Sequence, residues 1–113
     1  MLFIQTASIL KVKKKIINQT NKLSQEPLDL SKVDPKNTDR EICRLGMIAE
    51  FDATSLYEQL AAMTKSSRIK NILLDISKEE KTHTGEFQTL LLEIDKEQAE
   101  ENADGAKEVK ERA

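Results

Sequence analysis

Apolar residues recur at every third or fourth position along two stretches of the chain, and this spacing predicts two long amphipathic helices. The first stretch covers residues 39–65, and its apolar face holds Ile42, Leu45, Ala49, Ala53, Leu56, Leu60 and Met63. The second covers residues 67–94, and its apolar stripe holds Ile69, Ile72, Leu73, Ile76, Phe87, Leu90, Leu91 and Ile94. Because only a short polar break separates the two helices, we expect an all-α fold built on an antiparallel hairpin.

The ends of the two predicted helices carry capping residues. Thr38 is the predicted N-cap of the first helix, and Glu41 three positions later completes a capping box. Ser66 or Ser67 is available as the N-cap of the second helix. Gly46 and three of the four alanines on the first helix would let the second helix approach closely. The hairpin is therefore expected to occupy residues 37–95.

Two flanking regions differ from the hairpin in composition. Residues 1–36 form an N-terminal arm in which a basic amphipathic helix is predicted over residues 1–24, followed by a linker broken by Pro27 and Pro35. We expect this arm to be mobile or to pack on a neighbouring subunit, with attachment to an anionic membrane surface as the alternative. Residues 96–113 are almost entirely polar, and a frayed helix or disorder is expected there.

Composition narrows the class of protein. A chain of 113 residues forms one small domain, and a single hairpin encloses so little core that we expect it to need a second copy. The net charge of −2 gives no argument for nucleic acid or membrane as a partner. The single Cys43 rules out an internal disulfide framework, and the N-terminus is apolar first and basic later, the reverse of a secretory signal. A cytoplasmic protein is therefore expected.

Two polar residues interrupt the apolar stripe of the second helix. Glu80 and His83 project onto the same face as the apolar residues, one helical turn apart. An unpaired buried carboxylate is costly, so such a group is normally neutralised, ion-paired or bound to a cation. The Glu-x-x-His spacing is also the one with which carboxylate-bridged di-iron bundles hold their metals.

The hairpin predicts where a further ligand lies. Glu50 and Glu80 are each fifteen positions from Lys65 in the predicted turn, so they lie at the same height, about 22 Å from it. His83 is then expected level with Met47. We predict Glu50, Glu80 and His83 as metal ligands and catalytic residues. The structural alternatives are a buried ion pair between Glu80 and His83, and a solvated Glu50.

These three residues make half of a bundle di-iron site, which takes two Glu-x-x-His motifs and two further glutamates. Two copies related by a two-fold axis would supply the whole set and close a four-helix bundle. We therefore expect a homodimer or a ring of dimers, with iron at the subunit interface. Mn, Zn and Ca are the alternative metals, and the donor atoms alone do not choose among them.

The sequence around these residues resembles the encapsulated ferritins. The resemblance rests on residues 49–53 (AEFDA), 56–59 (LYEQ) and 79–87 (EEKTHTGEF), and it covers roughly residues 39–95. It implies a ferritin-like bundle whose dimers form an annular decamer. It also implies a ferroxidase that supplies iron for storage in an encapsulin nanocompartment. Glu50, Glu80 and His83 would then bind iron, with Tyr57 behind them; a core-edge aromatic is the other interpretation of Tyr57.

Three functions are compatible with these residues. The first is a ferroxidase that oxidises Fe(II) with dioxygen at the inter-subunit di-iron site. The second is a rubrerythrin-like di-iron peroxidase, although the single Cys43 speaks against the Cys-rich module that such proteins usually add. The third is a non-catalytic helical protein whose hairpin only dimerises.

Overall fold

A computed structural model of the chain describes residues 29–113, and the amphipathic helix predicted for residues 1–24 lies outside them. Within the described part, two short 3-10 turns lead into three α-helices, and no strand is present. In chain order these are the 3-10 turns Leu30–Lys32 and Pro35–Asn37 and the helices α1 (Thr38–Met63), α2 (Ser67–Ile94) and α3 (Lys96–Glu111). The predicted all-α fold is confirmed.

The start of α1 differs from the prediction. Thr38 is already helical, with φ −57° and ψ −48°, and its backbone N–H donates to the carbonyl of Pro35. Asn37 therefore occupies the N-cap position, without a capping hydrogen bond from its side chain. Glu41 pairs with Arg44 at 2.6 Å instead of closing a capping box. The capping box predicted at Thr38 is wrong because the preceding 3-10 turn already draws Thr38 into the helix.

The connection between α1 and α2 follows the prediction. α1 ends at Met63 and α2 begins at Ser67. Ser66 is the N-cap of α2, and its hydroxyl oxygen accepts a hydrogen bond from the backbone N–H of Ile69 at 3.2 Å. This cap satisfies one of the free N–H groups at the start of a helix. The three-residue turn sends α2 back along α1, so the two helices pack antiparallel.

Two contacts fix the register of this hairpin. Gly46 faces Phe87 so closely that a Cβ atom on Gly46 would lie 2.7 Å from the phenylalanine ring. Nearer the loop, Glu58 contacts Ser77. In both pairs the α2 residue is further from the loop than its α1 partner. The physical reason is that side chains lean toward the N-terminus of their own helix, which is away from the loop in α1 and toward it in α2.

The hairpin buries little of its own apolar surface. The buried apolar residues of the described chain are Cys43, Ala53, Leu56, Tyr57, Ala61 and Leu91. About half of each of four large side chains in the α2 stripe stays exposed: Ile69, Ile72, Leu90 and Ile94. The apolar surface of α2 is thus wider than one neighbouring helix can cover. None of the helices within residues 29–113 is long and apolar enough to cross a membrane.

The polar tail is a regular helix, not the frayed or disordered segment that was expected. Asp95 caps α3, since its side chain accepts a hydrogen bond from the backbone N–H of Gln98 at 3.0 Å. Its other carboxylate oxygen lies 3.6 Å from Arg40 Nε and 3.4 Å from Arg44 Nη2. Within α3, ion pairs one turn apart join Lys96 to Glu100 and Lys107 to Glu111. The cap and these local pairs stabilise a helix that lacks an apolar face.

Candidate metal centre

The structure brings the three predicted ligands together. Glu50 of α1 meets Glu80 and His83 of α2, and one donor atom from each lies within 4.8 Å of the other two. His83 Nδ1 is 3.5 Å from Glu50 Oε2 and 3.7 Å from Glu80 Oε2. His83 therefore lies level with Glu50, and its predicted position level with Met47 is wrong. The lean of side chains along the two antiparallel helices accounts for the shift.

The polar side chains next to the ligands in sequence bond to the helix backbone and not to the ligand side chains. Glu80 and His83 share one face of α2 because they are three residues apart. Thr54 Oγ1 donates to the carbonyl of Glu50 at 2.9 Å, and Thr84 Oγ1 donates to the carbonyl of Glu80 at 3.1 Å. Both threonine hydroxyls are thereby satisfied by the backbone. The carboxylates of the two glutamates are left for other partners.

One oxygen of the cluster is buried without a partner. Glu50 Oε2 is inaccessible to solvent and accepts no hydrogen bond in the described structure, because the 3.5 Å approach of His83 Nδ1 is too long for a good one. Burial, together with the neighbouring Glu80 carboxylate, raises the pKa of Glu50 to about 7, although His83 acts in the opposite direction. Such an oxygen is stabilised either by a proton or by a cation.

The chemistry of the donors fits a metal ion. Two carboxylate oxygens and one imidazole nitrogen are the donor set that binds Fe(II), Mn(II) and Zn(II) in proteins. Three protein ligands fall short of the four to six that such ions take, so positions stay open for water, substrate or ligands from another chain. The arrangement can therefore bind a divalent cation and still react with a small molecule.

The residues around the cluster differ in exposure. Tyr57 is buried nearby, and burial together with the charge of Glu80 raises the pKa of its hydroxyl. Glu79 and Glu86, which flank the stripe in sequence, are both exposed. Glu80, which lies between them in sequence, is the one that faces the cluster.

Sequence reasoning missed a second polar contact between the helices. Glu58 Oε1 accepts a hydrogen bond from Ser77 Oγ at 3.2 Å and lies 2.8 Å from Lys81 Nζ. Lys81, through its hydrogen bond and its charge, and then Ser77 lower the pKa of Glu58. The sequence places Ser77 beside the apolar stripe of α2, but its partner on α1 depends on the register of the hairpin.

An all-helical hairpin with a carboxylate–histidine cluster between its helices defines a ferritin-like protein. Comparison with known proteins supports this class. The family model described as rubrerythrin matches residues 41–113. The crystal structure of the encapsulated ferritin domain from Pyrococcus furiosus superposes with a TM-score of 0.67 at 46% identity, covering 79% of this chain and 93% of that one. The chain belongs to the rubrerythrin family and, within it, to the encapsulated ferritins.

A longer relative is also similar. The ferritin-like–encapsulin shell fusion protein of Pyrococcus furiosus is 52% identical over 71 residues, which make up 63% of this chain. The match spans only 21% of the fusion protein. The chain thus spans about a fifth of the length of that relative.

Proposed function

We propose that this protein is a ferroxidase that oxidises Fe(II) to Fe(III) at a site made by Glu50, Glu80 and His83. The observation that carries the proposal is the buried, unpartnered Oε2 of Glu50 beside a second carboxylate and an imidazole. In the reaction, two Fe(II) ions each give up one electron. Dioxygen takes both electrons and two protons and leaves as hydrogen peroxide.

The residues favour this electron loss for an electrostatic reason. Anionic carboxylates stabilise Fe(III) more than Fe(II), because Coulomb attraction grows with the charge of the ion and is stronger in a poorly solvated site. Side-chain exposure of Glu50 is only 18%, so its charge is weakly screened. Glu50 must also lose its proton when Fe(II) binds, which links iron uptake to pH.

We propose that two copies complete the site. One hairpin offers two glutamates and one histidine, and a two-fold axis would double this to the full ligand set of a bundle di-iron centre. The exposed part of the α2 stripe supports this arrangement: Ile69, Ile72, Leu90 and Ile94 are spaced from one another and from His83 so that all share one face. Pairing along that face would cover the apolar side chains and put the two half-sites next to each other.

The association with encapsulin comes from the relative. The Pyrococcus furiosus protein is a ferritin-like–encapsulin shell fusion, and we extend that link to this chain. A two-helix hairpin is too small to enclose a mineral, so we propose that Fe(III) is stored inside an encapsulin shell. Co-expression with an encapsulin shell protein tests this. Loaded shells that contain the chain support the link, and empty shells contradict it.

Kinetics with single substitutions tests the ferroxidase. Glu80→Ala and His83→Ala are each expected to slow aerobic Fe(II) oxidation more than about 100-fold, since the loss of a ligand exceeds the 10- to 100-fold effect of removing an outer partner. The matched control is Glu79→Ala, which removes an exposed carboxylate from the same helix. If Glu80→Ala and His83→Ala oxidise Fe(II) as fast as the parent, the assignment is wrong.

A second oxidant is favoured by the family match. Because the matching family model is described as rubrerythrin, hydrogen peroxide could replace dioxygen: two Fe(II) would each give one electron to one peroxide, which takes up two protons and becomes two waters. Anaerobic rates with peroxide and aerobic rates without it separate the two functions. Faster turnover with dioxygen supports the ferroxidase. A chain that binds no iron would instead be a helical protein that only dimerises.

A further inference from the structure

A polar cluster joins α1 to α2 on the side of the hairpin away from His83. Glu58 Oε1 accepts a hydrogen bond from the hydroxyl of Ser77 and forms an ion pair with the ammonium group of Lys81. By helical spacing, Ser77 and Lys81 project roughly 120° to 160° away from His83 around α2. The cluster is therefore separate from the metal centre, although it lies beside it in sequence.

The cluster attaches α2 to α1 at a point close in sequence to Glu80, a proposed metal ligand. Ser77 precedes Glu80 by three residues, and Lys81 follows it directly. Ser77 is 2% exposed, and its hydroxyl donates to Glu58 of the opposite helix. A slide or rotation of α2 that displaced Glu80 would leave this buried hydroxyl without its acceptor, which is unfavourable.

Apart from the close approach of Gly46 to Phe87, the rest of the interface fixes the register less strictly. The residues packed between the helices near the site are small or apolar, among them Ala53 and Ala61, and apolar burial is non-directional. The polar contact from Arg44 of α1 to Asp95 lies beyond the end of α2, fifteen residues after Glu80.

We propose that Glu58, Ser77 and Lys81 form a positioning clamp that keeps Glu80 and His83 in register with Glu50. This inference rests on the proposed metal-binding function. The three clamp residues act through the helix and touch neither metal nor substrate. Removing the clamp should let α2 shift, so that the three ligand atoms converge less often and the metal binds more weakly.

Metal affinity, measured separately from stability, tests the clamp. Zn(II) binding to the full chain is measured by competition with a chromophoric chelator for the parent, Glu58→Ala, Ser77→Ala and Glu58→Gln. We expect the dissociation constant to rise about tenfold in the two alanine variants, within the range known for partners that orient metal ligands. Glu58→Gln keeps an acceptor for Ser77 but loses the pairing with Lys81. Its dissociation constant for Zn(II) should therefore lie between those of the alanine variants and that of the parent. Glu93→Ala, an exposed change on α2, is the matched control.

Thermal unfolding distinguishes positioning from general support. A clamp variant should gain less in melting temperature from added Zn(II) than the parent does, since stabilisation by a ligand follows its affinity. If every clamp variant binds Zn(II) like the parent and only melts earlier, the residues are structural and this inference is wrong. If the parent itself binds no Zn(II) and no Fe(II), the proposed function fails first. If Glu58→Ala does not fold, Ser77→Ala and Glu58→Gln still decide.

Discussion

The carboxylates of Asp95 and Glu50 are both poorly exposed, but their neighbours differ. The Asp95 side chain is 8% exposed, and it lies between two arginines while it caps α3. Glu50 is also poorly exposed, but its neighbours are a second carboxylate and an imidazole, and one of its oxygens has no partner. A buried acid that serves structure is surrounded by cations and N–H donors. The unfavourable surroundings of Glu50 are those expected of a group that binds a cation.

The largest expected effect is on the Asp95 cluster. Asp95→Ala removes the cap of α3 and the partner of Arg40 and Arg44, so the free energy of unfolding should fall by about 2 to 3 kcal/mol. Glu50→Ala should not lower the stability of the metal-free protein comparably, because it removes a charge that is poorly compensated. Urea unfolding in the presence of a chelator measures both. Asp104→Ala, an exposed change on α3, is the control. Equal losses of unfolding free energy in Asp95→Ala and Glu50→Ala would contradict the proposed difference between the two carboxylates.

The next effect is the dependence of the stability of the metal-free protein on pH. The pKa of Glu50 is raised from 4.5 to about 7, so the folded protein binds this proton more tightly than the unfolded chain does. The resulting stabilisation is complete below pH 4.5 and is lost as the pH rises through about 7. Without metal, the parent should therefore lose stability relative to Glu50→Gln across this window.

Added metal should reverse that trend. A divalent ion displaces the proton, so the stabilisation by Zn(II) should grow between pH 5 and pH 8 in the parent. Urea unfolding at several pH values, with chelator and with Zn(II), measures both curves. A constant difference between the parent and Glu50→Gln at all pH values would contradict the raised pKa of Glu50.

The smallest effect concerns the close approach of the helices beside the metal centre. Gly46→Ala would place a Cβ atom 2.7 Å from the Phe87 ring, and overpacking of this kind exceeds the gain in helix propensity. We expect a net loss of about 1 kcal/mol and weaker Zn(II) binding, with the Asp95 cluster unaffected. Gly105→Ala meets no neighbouring atom within 4 Å, so it should be neutral or stabilising. If Gly46→Ala matches Gly105→Ala, the helices are free to separate there.

Sequence alone predicted the parts of this fold that depend on local pattern. Apolar spacing predicted α1 and α2, and Ser66 was one of two serines predicted to cap α2. Counting from the loop brought Glu50 to Glu80. It misplaced His83 because counting treats side chains as perpendicular to the helix axis.

Features that depend on distant residues were not predicted. Asp95 has arginine partners about fifty positions away, which no local pattern reveals. Its capping of α3 could have been found, since Asp95 and Gln98 have the spacing of a capping box. The Glu58 and Ser77 contact likewise required the register of the hairpin.

The decisive experiment for an iron site shared by two chains measures iron stoichiometry and oligomeric state together. The full chain is loaded anaerobically with Fe(II), freed of unbound metal, and examined by elemental analysis and analytical ultracentrifugation. We predict two iron ions for each pair of chains, in dimers or multiples of dimers, and loss of this iron in Glu80→Ala. A monomer without bound iron, or iron retained in full by Glu80→Ala, would contradict it.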